Sequence, residues 1–355
     1  AAGHLGDDAV LYDTVKAVGL EFCPALGITI PVGKDSMSMR TQWDDDAETK
    51  SVTAPVSLII TAFAPVADAR ETLTPELKRD EATSLLLIDL GQGKNRLGGS
   101  VLAQTYGKLG SSVPDVAADD VKALFNGVKA LKAAGTILAY HDRSDGGVLV
   151  TLLEMAFAAR CGLNVEIKCQ PEQAPAVLFS EEVGVVIQVA DHQLSVVSKI
   201  LGEHGLDTMT TTIAKPRLDE RIVVNTESFE VIDSRRGVLQ QLWSQNSHAI
   251  QRERDNADCA DQEFALICQP DPGLSASLRF DISDDVAAPM IATGARPAIA
   301  ILREQGVNGQ AEMAAAFHRA GFDAVDVHMS DLKSGRRHLS DFKGLAACGG
   351  FSYGD

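Results

Sequence analysis

The sequence predicts two fold classes in succession: an α+β unit over residues 83–235, and the start of an α/β, doubly wound parallel sheet after Pro297. Two patterns predict this. Between 83 and 235, apolar runs of strand length at 84–90, 163–167 and 183–189 alternate with longer stretches of helical spacing. After Pro297 the order becomes strand 298–302, helix 310–320, strand 323–327 and strand 345–348, the rhythm of a parallel sheet. The hydrophobic fraction of 45% supports a sizeable core and argues against general disorder.

Taken in order, residues 7–19 carry Val10, Leu11, Val15 and Val18 at helical spacing. Asp7 and Asp8 favour a helix N-terminus, and Gly19 stands near its end. Residues 28–32 read as a strand, 44–50 as a charged turn, and 51–63 as a second strand-like run. Pro65, Pro75 and mixed charges make 65–80 a connector. Residues 119–134 form an amphipathic helix stopped at Gly135. Residues 136–140 read as a short buried strand, 148–159 as a helix, 170–177 as a loop with two prolines, and 191–204 as a helix. Residues 221–225 and 229–232 read as paired strands. Residues 237–260 make a polar helix anchored by Trp243, and 269–285 a linker.

The formal net charge of −17 repels phosphate backbones and argues against nucleic acid as the main partner. Nucleotides held by backbone amides, a metal and a few lysines stay open. Cys23, Cys161, Cys169, Cys259, Cys268 and Cys348 include no CxxC pair, which speaks against a zinc site. Their scatter fits a reducing, cytoplasmic setting with free buried thiols. No apolar run has the length of a membrane span, and no signal peptide is expected. Both ends read as cut, so a fragment of a longer protein is expected.

The stretch richest in chemistry is His141-Asp142-Arg143-Ser144-Asp145-Gly146-Gly147. Ser144 or Asp145 can cap the following helix, and the glycines allow a tight turn. Free N–H groups at a helix N-terminus attract phosphate, and a carboxylate beside them suits Mg²⁺. The loop reads as a nucleotide–metal contact or as an ordinary capped turn. Gly33-Lys34-Asp35-Ser36 offers amides, a cation and a hydroxyl to an anion, but lacks the spaced glycine of a Walker A loop. Its alternative is a polar turn. In 91–100, Gly91 and Gly93 fit a dinucleotide fingerprint but Arg96 stands at the third glycine. That stretch is an anion loop using Lys94 and Arg96, or a plain loop. Glu181 and Glu182 are metal ligands or a solvated helix end.

Gly350-Phe351-Ser352-Tyr353-Gly354 matches a hydrolase elbow, whose acid and histidine follow the serine in the chain. Only Asp355 follows the motif here, so that reading is rejected. Cys348 ends an apolar run, where a small hydrophobe is the commoner role. Gly349 and Gly350 after a strand leave N–H groups for a developing oxyanion.

Several stretches together resemble the phosphoribosylformylglycinamidine synthase family, in its large single-chain bacterial form. They are 23–39 (CPALGITIPVGKDSMSM), 140–147 (YHDRSDGG), 271–274 (DPGL), 292–297 (ATGARP), 302–308 (LREQGVN) and 348–355 (CGGFSYGD). The resemblance implies two lobes like aminoimidazole ribonucleotide synthetase (PurM-like), then the start of a class I, flavodoxin-like glutamine amidotransferase domain. It implies domain limits of 1–67 (end of the N-terminal lobe of the second synthetase half), 68–82 (connector), 83–235 (C-terminal lobe), 236–296 (helical segment and linker) and 297–355 (amidotransferase start).

The family converts formylglycinamide ribonucleotide, ATP and glutamine into formylglycinamidine ribonucleotide, in de novo purine biosynthesis. Its large members also hold a nucleotide and magnesium at an auxiliary, non-reacting site. By motif match, Asp142 would be a Mg²⁺ ligand and Ser144 a contact to ATP or ADP. Lys34, Asp35 and Ser36 would lie near the synthetase centre. The resemblance implies a cytoplasmic, monomeric enzyme whose partners are small molecules and the rest of its own chain. The family's amidotransferase cysteine, histidine and glutamate would lie beyond Asp355, so the fragment alone is expected to be inactive. The competing expectation is a non-catalytic half that holds a nucleotide and magnesium structurally.

Overall fold

The computed structural model describes residues 4–31, 33, 39–46, 48–79, 82–271, 273–304 and 306–349. It divides into two units, Ala1–Asp271 and Pro272–Asp355.

The first unit opens with α1 (Asp7–Lys16), which runs through a π-helical stretch, Ala17–Phe22, into α2 (Cys23–Leu26). Gly27, with φ +78°, ends it. Gly19 therefore lies inside the helical stretch. Residues 28–31 form no strand, and Val32 lies outside the described residues. Among the described residues 28–31 pair with no strand, and apolar β-branched residues alone do not make one. β1 (Arg40–Asp45) and β2 (Glu48–Thr53) pair as an antiparallel hairpin. The predicted run to residue 63 stops at Thr53.

The core is a seven-stranded sheet. Its strands are β3 (Thr83–Asp89), β4 (Ala139–Asp142), β5 (Gly162–Ile167), β6 (Gly184–Ala190), β7 (Thr210–Arg217), β8 (Arg221–Thr226) and β9 (Glu230–Arg235), in the order β4-β6-β3-β7-β5-β8-β9. Only β5 and β8 are parallel; the other neighbours are antiparallel. Helices interleave as α3 (Val101–Thr105), α4 (Ala118–Ala133), α5 (Gly147–Ala159), α6 (Ala174–Phe179), α7 (Leu194–Glu203), α8 (Arg236–Arg254) and α9 (Ala257–Leu266).

Two apolar clusters hold this unit together. Leu86 and Ile88 of β3 and Val185, Ile187 and Val189 of β6 pack with Leu124 and Leu131 of α4 and Val197 and Leu201 of α7. Leu85 and Val186 face the other way, into the cluster of α5, β5 and β8. Alternate residues serve opposite faces, which is why β3 and β6 are apolar throughout. α5 is buried on nearly every side, so its sequence shows apolarity without a polar stripe.

Three expectations need correction. Of residues 170–177, all but the extended Gln170 are helical, not a loop: Pro171 opens a 3₁₀ turn, Pro171–Gln173, and Pro175 sits in the first turn of α6, where proline is tolerated. Residues 237–260 span parts of two helices, α8 and α9, broken at Asn256, whose side chain accepts from the Cys259 N–H at 3.0 Å. Trp243 is 55% exposed and meets Phe157 at 5.9 Å, while the wholly buried side chain of α8 is Arg236. The connector is tied down: buried Gln188 of β6 accepts from Lys78 N at 2.8 Å and donates to Lys78 O at 2.7 Å.

The second unit has α10 (Ala288–Ala292), β10 (Ala298–Arg303), α11 (Gln310–Arg319), β11 (Asp323–His328), α12 (Met329–Lys333) and β12 (Gly344–Ala347). Its strands run parallel in the order β11-β10-β12, with Ile299, Ala300, Ile301 and Val327 buried. This is the doubly wound start that the alternating pattern predicts.

Candidate functional site

Three strand ends meet at one edge of the large sheet. Asp142 of β4 is opposite Val185 of β6, and Gly184 of β6 is opposite Asp89 of β3. The ends of β3 and β4 and the start of β6 therefore carry three loops side by side: 90–100, 143–146 and 180–183.

The loop after β4 turns through two successive left-handed residues, Gly146 (φ +83°) and Gly147 (φ +69°). At Gly147 a Cβ would stand 2.7 Å from the Leu178 carbonyl oxygen, so only glycine fits. Gly147 N donates to Ser144 O at 2.9 Å, closing the turn. Asp142, Ser144 and Asp145 are left exposed on it. Neither Ser144 nor Asp145 caps α5, contrary to the sequence expectation. The acceptor for Gly146 N is Glu181, whose Oε1 lies 2.8 Å away and also accepts from Val101 N at 2.9 Å.

Beneath the turn runs a network of ion pairs. Arg143 is buried and donates to Asp89 Oδ1 at 2.5 Å and to the Val183 carbonyl at 3.2 Å. Asp89 in turn accepts from Gly91 N and Gly93 N, at 3.0 and 2.9 Å. The Glu182 side chain, 1% exposed, accepts from Arg96 N, Nε and Nη2 at 3.0, 2.7 and 2.8 Å. Burial pushes the Glu182 carboxyl up, but the Arg96 hydrogen bonds and the Arg96 and Arg143 charges outweigh it, and its pKa falls below the ordinary value. Glu182 is thus neither a solvated helix end nor a free metal ligand. Arg96 is engaged by it, which leaves exposed Lys94 as the cation of that loop.

Asp142 Oδ1 accepts from Tyr140 Oη at 2.6 Å. Burial, then this hydrogen bond and the Asp142 charge, raise the Tyr140 phenol above its ordinary pKa. His141 Nε2 lies 3.1 Å from Glu154 Oε2. Among the described residues no group of three or more His, Cys, Asp or Glu side chains forms a metal cage. Asp142 fits the single carboxylate that a phosphate-bound Mg²⁺ needs, since that ion keeps several waters and takes one or two protein carboxylates.

Of the residues singled out in the sequence, the structure brings Asp142 and Ser144 together with Glu181, Glu182, Lys94 and Arg96. Lys34, Asp35, Ser36 and Gly350 lie outside the described residues. Gly349 belongs to the second unit, exposed after β12 with φ +116°. Among the described residues no helix is long and apolar enough to cross a membrane.

Residues 1–65 match the FGAR-AT PurM_N-like domain. Residues 85–214 match the C-terminal domain of AIR synthase related proteins, and 296–355 the CobB/CobQ-like glutamine amidotransferase domain. In this order the three matches make the chain similar to the phosphoribosylformylglycinamidine synthase family. The large sheet is a PurM-like lobe, and the parallel strands after Pro297 lie within the glutamine amidotransferase match. Among solved structures, PurLQS from Thermotoga maritima is 15% identical with a TM-score of 0.39, over 53% of this chain and 28% of that one. T. maritima PurL complexed with FGAR is 15% identical with a TM-score of 0.39, over 54% and 30%. HypE from E. coli is 20% identical with a TM-score of 0.33, over 46% and 51%. The match spans less than a third of either T. maritima chain.

Proposed function

We propose that this chain is part of a ligase that makes formylglycinamidine ribonucleotide from formylglycinamide ribonucleotide, ATP and glutamine. The observation that carries the reading is the order of its three domain matches, a synthetase N-lobe, a synthetase C-lobe and a glutamine amidotransferase. In this reading 1–67 close an N-terminal lobe, 68–82 connect, 83–235 are the C-terminal lobe, 236–296 a helical segment and linker, and 297–355 open the amidotransferase. The loop at Asp142 and Ser144 is one wall of a magnesium–nucleotide site, and Gly349 with Gly350 offers amides to the oxyanion of glutamine cleavage. Because Glu181 already takes the Gly146 N–H, the loop's contribution comes from its exposed side, the Asp142 carboxylate and the Ser144 hydroxyl. Expressing the intact protein in a purine auxotroph tests the reading. Growth without purine is expected, and no growth despite good soluble expression would sink it.

A second reading starts from the same geometry, the exposed Asp142 and Ser144 on the turn into α5. In it, the same loop holds magnesium and nucleotide for structure only. Asp142→Asn separates the two in the intact enzyme. A fall in kcat favours a reacting site; lost thermal stability with kcat unchanged favours the structural one.

A further inference from the structure

Glu181 is where three separate pieces of chain meet. Its Oε1 accepts from Gly146 N at 2.8 Å and from Val101 N at 2.9 Å. Gly146 belongs to the turn that presents Asp142 and Ser144, while Val101 is the first residue of α3, just past the glycine-rich loop. One carboxylate oxygen thus joins two loops to the strand-leading segment 180–183. The next residue makes the complementary tie, since Glu182 grips Arg96 within the glycine-rich loop. Arg143 closes the circuit through Asp89.

Gly146 is buried, so losing its acceptor leaves an N–H without a partner inside the protein. The turn can recover a partner only by moving, and movement there displaces Asp142 and Ser144. The carboxylate also sits at the N-terminus of α5, a helix of 13 residues, where negative charge is favoured. It is therefore held in place by geometry and by charge.

We infer that Glu181 is a positioning residue for the magnesium–nucleotide site, setting where Asp142 and Ser144 meet the ligand. This rests on the reading of the Asp142 loop given above. Its side chain is engaged by the Gly146 and Val101 amides, so it acts through the backbone at Gly146.

The test measures Mg-ADP affinity and the KM for glutamine in the intact enzyme. Removing a support behind a metal site characteristically costs about 10–100-fold in affinity. Glu181→Ala is expected to raise the Kd for Mg-ADP at least about tenfold while leaving the KM for glutamine within about twofold. Glu181→Gln keeps an oxygen in the same place and is expected to recover most of the affinity. Glu181→Asp keeps the charge but withdraws the oxygen by one methylene, and is expected to behave like the alanine variant; it also serves if the alanine variant does not fold. Unchanged affinity in both Ala and Asp variants overturns the inference, as does a glutamine KM that rises in step with the nucleotide Kd. If the unsubstituted enzyme fails to bind Mg-ADP, the reading of the Asp142 loop itself falls, which is a different result.

Discussion

The Arg96 guanidinium and the Glu182 carboxylate form a two-pronged ion pair, Nε to Oε1 at 2.7 Å and Nη2 to Oε2 at 2.8 Å, behind the glycine-rich loop. A Cβ at Gly91 would fall 2.6–2.7 Å from the Glu182 side chain, so the loop and the carboxylate are fitted to each other. This pair makes stability depend on pH. The folded-state pKa of Glu182 is depressed, so its contribution is present above the unfolded value of about 4.3 and disappears as pH falls through the folded value. Glu182→Gln is expected to lose on the order of 2 kcal/mol near neutral pH, the worth of hydrogen bonds to a charged group. The loss should shrink in acid, where the carboxylate is protonated anyway. Denaturant titrations across the acid range check this, and an equal loss at every pH would contradict it.

The turn into α5 makes a prediction about backbone. Gly147→Ala places a Cβ at φ +69° and 2.7 Å from Leu178 O and Phe179 C. Gly93→Ala also sits at positive φ, +73°, but has nothing within 4 Å. The second variant is expected to lose about 1 kcal/mol, the cost of left-handed backbone alone. The first should lose more, because the Leu178–Phe179 backbone must shift as well. Denaturation midpoints of the two variants give the comparison; equal losses would mean that the close approach at Gly147 is relieved without cost.

The framework of the site was legible in the sequence, and its bracing was not. β3, β6 and α5 are long apolar runs with clear limits, and the loops between them could be placed from those runs alone. β7 carries little sequence signal, because Thr210, Thr211 and Thr212 precede only two buried residues, Ile213 and Ala214, before Lys215 and Pro216. It holds a central place through its ladders to β3 and β5, information carried by its partners. The hairpin of β1 and β2 is almost wholly exposed, so no alternation marks it. The role of Glu181 depends on amides 35 and 80 residues away, and no local spacing announces such a bond. A Glu-Glu pair just before an apolar strand was the one available signal.

The cysteines differ sharply in access. Cys259 and Cys268 are exposed, whereas Cys23, Cys161 and Cys169 are buried and Cys348 is intermediate. Burial also pushes the Cys161 thiol up to about 11, where little thiolate exists near neutral pH. Under native conditions an alkylating reagent is expected to label Cys259 and Cys268 first, and Cys161 only after unfolding. Mass mapping of a labelling time course reads the order; early labelling of Cys161 would contradict the packing around it.

The loop at Asp142 carries the central claim, and calorimetric titration of Mg-ADP into the intact protein and its Asp142→Asn variant addresses it most directly. Magnesium-dependent binding to the unsubstituted protein is expected. The variant is expected to have a Kd at least about tenfold weaker, with the difference gone when magnesium is chelated. Equal affinities for the two proteins in magnesium would contradict it.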